Sequence, residues 1–63
     1  MSYNEFVTET KKAFTKMGYT DAETDKYFKA KESILRRNYE GFNERKVAGY
    51  SPSATASCLD MMY

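Results

Sequence analysis

The sequence contains no histidine and no tryptophan, and it has one cysteine and one proline. Without histidine the chain lacks the side chain that most often acts as a general base near neutral pH. Cys58 therefore has no imidazole partner to make it a nucleophilic thiolate, and no second cysteine for an internal disulfide. Gly18, Gly41 and Gly49 lie too far apart to form a phosphate-binding loop. These absences predict a protein that is not an enzyme and has no catalytic, metal or cofactor site.

Long hydrophobic runs and a large charge of one sign are also missing. No apolar run of roughly 7–15 residues indicates a signal peptide or a membrane span. Ten Lys and Arg against nine Asp and Glu give a formal net charge of +1, which argues against general attraction to DNA or anionic lipid. Because an unpaired cysteine is typical of a reducing compartment, we expect a cytoplasmic protein without membrane contact.

The 63 residues are instead rich in apolar and aromatic side chains. Hydrophobic residues make up 41% of the chain, and six Tyr with four Phe make up 16%. This composition is typical of a globular chain, and the length predicts a single domain over residues 1–63. So short a chain buries only about 60% of its unfolded surface, so large rings help by adding buried area.

Residues 2–17 carry the signals of a first helix. Ser2 and Glu5 have the spacing of a capping box, in which each side chain bonds the other residue's backbone amide. Gly18 follows at the position of a left-handed C-terminal cap, and Tyr19 is the hydrophobic residue that folds back. The apolar stripe at helical spacing consists of Tyr3, Phe6, Val7, Thr10, Phe14 and Met17.

A second helix is predicted over residues 21–47, with Thr20 and Glu23 as another capping box. Gly41 leaves its end open, because glycine either stops a helix or is tolerated inside one at a cost of about 1 kcal/mol. Since residues 43–46 hold no strong turn signal, continuation past Gly41 is favoured. The broad apolar stripe consists of Tyr27, Phe28, Ile34, Leu35, Asn38, Tyr39 and Phe42.

Gly49, Ser51 and Pro52 mark the start of a third helix over residues 52–62. Ser51 suits the N-cap, and Pro52 suits the first helical position, where no amide hydrogen is needed. From its place on the apolar side we expect Cys58 to be a small core residue. That side, with Leu59 at its margin, is formed by Ala54, Cys58, Met61 and Met62.

Short connections at residues 18–20 and 49–51 favour antiparallel neighbours. We therefore predict an all-α fold, a small three-helix bundle in which a long central helix is flanked by two antiparallel shorter helices. If the flanking helices lie on different sides, part of the central stripe stays open and a homodimer becomes favourable.

Met17, Gly18 and Tyr19, placed between two helices, resemble the Met-Gly-Phe/Tyr loop of ubiquitin-associated domains, which are also small three-helix bundles. The resemblance covers three residues and implies that Met17 and Tyr19 contact ubiquitin. The second helix predicted here is much longer than that of the family, and the same residues also form an ordinary helix C-cap. No site residue is therefore taken from the resemblance.

A basic segment favours one kind of partner. Residues 26–46 hold seven Lys and Arg against three Glu, a local surplus of +4. Arg36 and Arg37 beside Tyr39 suit a contact in which a phosphate is gripped and a base is stacked. Glutamates one helical turn away neutralise part of this charge. A nucleic-acid-binding module is thus one hypothesis.

The number of rings favours protein binding instead. Ten aromatic residues exceed what so small a core hides, and Tyr, Arg and Met are enriched at protein interfaces. We therefore expect a stoichiometric adaptor or inhibitor of a protein partner, of a kind common in phages and mobile elements. A structural homo-oligomer is a further alternative. The residues predicted to contact the partner are Tyr27, Arg36, Arg37, Tyr39, Arg45, Met61, Met62 and Tyr63.

Overall fold

The computed structural model describes all 63 residues and contains no strand. Its elements are four α-helices and one 3₁₀ turn: α1 (Tyr3–Thr15), α2 (Asp21–Ala30), α3 (Glu32–Asn43), the turn (Ala48–Tyr50) and α4 (Pro52–Met62). The prediction of an all-helical protein is confirmed, whereas the helices number four and not three. No helix is both long enough and apolar enough to cross a membrane.

The helices start where the capping motifs predict. The Ser2 hydroxyl accepts a hydrogen bond from the Glu5 amide at 3.2 Å, and the Glu5 carboxylate accepts one from the Ser2 amide at 3.0 Å. Thr20 and Glu23 form the same reciprocal pair at 3.1 and 2.9 Å. Ser51 caps α4 through its hydroxyl. These bonds satisfy backbone donors that the first turn of a helix leaves free.

α1 ends two residues earlier than predicted, but in the predicted manner. Gly18 has a φ of +108°, in the left-handed region that favours glycine. Tyr19 then turns back and stacks on Phe14, with ring centroids 4.0 Å apart and ring planes 10° apart. This contact holds the turn that leads into α2.

The single central helix predicted over residues 21–47 is wrong, because the helix breaks at Lys31. The backbone there has φ −109° and ψ 24°, outside the helical region. The Lys31 carbonyl accepts from the amides of both Ile34 and Leu35 at 3.1 Å, so α3 starts again from this residue. Neither glycine nor proline lies nearby, so we attribute the break to packing: Phe28 and Leu35, on its two sides, are both buried.

α3 continues past Gly41, as favoured, but it ends at Asn43 and not at residue 47. Tyr50 packs so closely on Gly41 that a Cβ there would lie 2.8 Å from Cε2 of the Tyr50 ring. The chain has to turn after Asn43 to bring Tyr50 back to this position. In that turn Lys46 has a φ of +57°, and the Val47 amide donates to the Gly41 carbonyl at 3.1 Å. Gly41 therefore serves the packing of a ring and does not stop the helix.

Contacts of α1 give the direction of the central helices. Its first turn meets α3, where the ring centroids of Tyr3 and Tyr39 are 5.4 Å apart. Further along, Lys11 bonds the carboxylate of Asp25 in α2 at 2.9 Å. α2 and α3 therefore run antiparallel to α1.

α4 also runs antiparallel to α2 and α3. Near its start the Thr55 hydroxyl accepts from the Asn38 amide group of α3 at 3.3 Å, and further along the Leu59 carbonyl accepts from the Tyr27 hydroxyl of α2. α1 and α4 are consequently parallel, and they form the most extensive helix pairing of the molecule.

Aromatic rings surround a small core. The buried apolar residues are Phe6, Phe14, Phe28, Leu35, Ala56 and Leu59. The first aromatic cluster consists of Tyr3, Phe6, Tyr39 and Phe42. The second aromatic cluster consists of Phe14, Tyr19, Tyr27, Phe28 and Tyr63. The stripes predicted for α1 and α3 supply most of these residues.

The buried side of α4 differs from the prediction. Thr55 and Leu59 are buried, while Cys58 is exposed and is not the core residue that the sequence predicts. Thr55 is tolerated inside because its hydroxyl donates to the Tyr50 carbonyl at 3.2 Å. With this threonine buried, the helix is rotated so that Cys58 and Met61 point outward.

Candidate protein-binding surface

Large apolar side chains follow one another at the end of α4. Met61 is 87% exposed, Met62 is 46% exposed and Tyr63 is 58% exposed. Single exposed apolar residues are normal, but neighbouring ones mark interaction sites. We call Met61, Met62 and Tyr63, together with Tyr27 that contacts Tyr63, the C-terminal apolar surface.

Tyr63 covers the second aromatic cluster from the outside. Its ring centroid lies 4.7 Å from that of Tyr19 and 4.9 Å from that of Tyr27. Its hydroxyl lies 3.5 Å from a carboxylate oxygen of Glu23. Beside it is an open cleft of about 330 Å³, lined by Glu23, Lys26, Tyr27, Ala30 and Tyr63. The surface therefore includes a concave part with two aromatic walls.

Tyr27 is held in a fixed position by groups on three sides. Its hydroxyl donates to the Leu59 carbonyl at 3.1 Å, and its ring stacks on Phe14 at 5.8 Å between centroids. The Lys31 ammonium lies 5.7 Å from the ring centroid, within the range of cation–π attraction. Burial is the main cause that raises the pKa of Tyr27. This ring is thus a neutral, ordered wall of the cleft at physiological pH.

Tyr19 and Asp60 form a contact that sequence reasoning missed. The Tyr19 hydroxyl donates to the Asp60 carboxylate at 2.5 Å. This hydrogen bond, followed by burial, raises the pKa of Tyr19 to about 12. The bond joins the last turn of α4 to the turn after α1. The position after Gly18 predicts that Tyr19 folds back, but nothing local identifies a partner 41 residues away.

Arg36 and Tyr39 do not belong to this surface. Nε of Arg36 lies 3.5 Å from a carboxylate oxygen of Glu32, and the guanidinium carbon lies 4.5 Å from the centroid of the Tyr3 ring. Tyr39 is half-buried beside Tyr3, and its hydroxyl donates to the Met1 carbonyl at 3.1 Å. Both side chains cover the first aromatic cluster.

The remaining predicted contact residues are exposed but lie apart. Arg37 and Arg45 point to solvent and form no ion pair. The structure thus brings together Tyr27 and Tyr63, with Met61 and Met62 beside them in the chain. It does not bring the arginines of α3 to the same place. No three Asp, Glu or Cys side chains lie close enough to share a metal ion.

Comparison with known proteins assigns no family to this fold or surface: no protein-family model, curated protein or solved structure matches the chain. What the surface can do is therefore argued from its own contacts.

Proposed function

We propose that this protein binds a partner protein through the C-terminal apolar surface and acts as a stoichiometric adaptor or inhibitor, without a chemical step of its own. The observation that carries the proposal is the exposure of three successive large apolar side chains beside an aromatic cleft. Met provides adaptable apolar surface and Tyr provides a large, stiff one, and both are enriched in protein interfaces.

The second aromatic cluster supports this role because it orders the surface before a partner arrives. The bonds from Tyr27 to Leu59 and from Tyr19 to Asp60 tie the end of α4 to α2 and to the turn after α1. An ordered surface loses less conformational entropy on binding than a mobile one. Complete burial of a large apolar side chain contributes about 1.5–3 kcal/mol, so a few such residues supply a substantial driving force.

Contacts on α3 favour protein binding over nucleic-acid binding. Stacking of a base needs an open ring face beside free cations. Tyr39 is half-buried, and Arg36 is paired with Glu32 and lies over Tyr3. Of the three residues that the nucleic-acid hypothesis uses, only Arg37 is exposed without an ion pair.

Affinity capture from an extract of the source organism tests the proposal. Three baits are compared: the wild type, Met62→Asp/Tyr63→Ser in the C-terminal apolar surface, and Arg37→Ala/Arg45→Ala as the control on exposed cations. We expect one protein to be retained by the wild type and the arginine control, and to be reduced at least about tenfold with the apolar variant. Circular dichroism has to show equal helix content for the three baits.

Two outcomes contradict the proposal. Equal retention by the Met62→Asp/Tyr63→Ser bait would place the contact elsewhere. A captured species that is removed by nuclease and by the Arg37→Ala/Arg45→Ala changes would favour the nucleic-acid alternative, whose binding weakens steeply with salt.

A further inference from the structure

A second candidate interface lies outside the C-terminal apolar surface. An open groove of about 1010 Å³ runs between α1 and α4. On the α1 side it is lined by Glu9, Lys12, Ala13, Lys16 and Met17, and on the α4 side by residues 51–54 and 57. The groove therefore has one wall with charges and one wall without.

The uncharged wall restricts what can cover it. Asp60 is the single charged residue of α4, and it is bonded to Tyr19 and does not line the groove. Each of the other three helices carries at least four charged residues. A charged surface laid on this wall would lose hydration without gaining an opposite charge. An uncharged helix face fits, and within this molecule α4 is the helix that has one.

The charged wall complements itself. Glu9 and Lys16 lie seven residues apart in and just after α1, which is about 10 Å along the helix. In an antiparallel pair of identical faces, Glu9 of one copy lies opposite Lys16 of the other, and two-fold symmetry repeats the pair. Lys12, between them, stays 3.6 Å from Glu9 of its own chain. The groove thus carries the charges that a second copy needs.

We propose that the α1–α4 groove is the interface of a homodimer, in which α4 packs antiparallel against α4 of a second copy about a two-fold axis. α4 has eleven residues and is about 16 Å long, so the interface is small and the association is reversible. Pairing also stabilises a chain whose core has six buried apolar residues. Tyr27 and Tyr63 lie on the α2 side of α4 and stay free, so the dimer presents their cleft twice.

Sedimentation equilibrium of the full chain under reducing conditions tests this proposal. The wild type should pass from 7.3 kDa toward twice that mass as its concentration rises from about 10 µM to about 1 mM. Ser57→Arg places a charge in the uncharged wall and should weaken association at least about tenfold. Ser33→Arg makes the same change on the exposed side of α3 and should have no effect.

Charge exchange provides a second test that does not depend on the fit of one arginine. Lys16→Glu should weaken association, because it places two carboxylates opposite each other in both symmetric pairs. Glu9→Lys combined with Lys16→Glu reverses both signs and should restore most of the wild-type association. Circular dichroism checks that each variant keeps its helices.

A single species of 7.3 kDa up to about 1 mM would overturn the homodimer. Association that is sensitive to Ser33→Arg and insensitive to Ser57→Arg would also overturn it, because the contact would then be on α3. Neither result bears on capture of a partner by the C-terminal apolar surface, since these substitutions leave Met62 and Tyr63 unchanged.

Discussion

The two aromatic clusters are built from the same residue types but differ in what covers them. In the first cluster the Arg36 guanidinium lies over Tyr3, and Tyr39 is bonded to the Met1 carbonyl. In the second cluster the outermost ring is Tyr63, which is 58% exposed. One cluster therefore closes the core, whereas the other extends core packing to the surface. The comparison shows that an excess of rings in a small chain can serve stability at one end and, in our proposal, binding at the other.

The largest effect is expected at the ring that joins the second cluster to the core. Phe14 is fully buried, and its ring contacts those of Tyr19, Tyr27, Phe28 and Tyr63. Phe14→Ala should cost about 3–5 kcal/mol, which is as much as a chain of this size has in reserve. We expect the variant to be largely unfolded by circular dichroism at room temperature. A cooperative urea transition close to that of the wild type would show that the cluster does not support the core.

A smaller effect should separate the two clusters directly. Tyr39→Ala removes a half-buried ring packed edge to face against two others, and it should cost about 2 kcal/mol. Tyr63→Ala removes a ring that is more than half exposed and should cost less than about 1 kcal/mol. Urea denaturation of the two variants measures both costs. Equal costs, or the reverse order, would remove the distinction between a covered and an open cluster.

The smallest effect concerns alkaline pH. The pKa of Tyr19 is raised to about 12 from the ordinary value of 10, mainly by the hydrogen bond to Asp60. A raised pKa in the folded state contributes stability that is present below pH 10 and is lost as the pH rises through 12. Burial also raises the pKa of Tyr3 and of Tyr27, in the same direction.

The urea midpoint should therefore stay constant near neutral pH and fall above pH 10. Tyr19→Phe removes the ionising group and should make this alkaline fall shallower than in the wild type. An unchanged pH dependence in Tyr19→Phe would mean that other groups control the alkaline transition.

Local signals account for the parts of the fold that the sequence predicts. The Ser2 and Thr20 capping boxes, the Ser51 cap and the Gly18 turn each depend on residues within a few positions of one another. The apolar stripe of α1 is also local, because it follows from helical spacing. These features were predictable because neighbouring residues suffice to form them.

Features that depend on distant contacts were not predictable in the same way. The break at Lys31 occurs without a local breaker, and the end of α3 depends on Tyr50 packing against Gly41. Cys58 is exposed because Thr55 finds hydrogen-bond partners inside. Arg36 leaves the predicted contact set because it lies over Tyr3, 33 positions earlier in the chain. The aromatic excess indicated an exposed ring surface, but only the packing of α4 determines which rings are exposed.

The break at Lys31 also has a consequence for folding cooperativity. It leaves helices of ten and twelve residues, and isolated helices shorter than about 12–15 residues are marginal in water. α1 and α4 have thirteen and eleven residues, so no helix of this protein has the length to persist alone. Each segment therefore depends on the other three for its secondary structure. Unfolding should be a single transition in which helix content and tertiary packing disappear together.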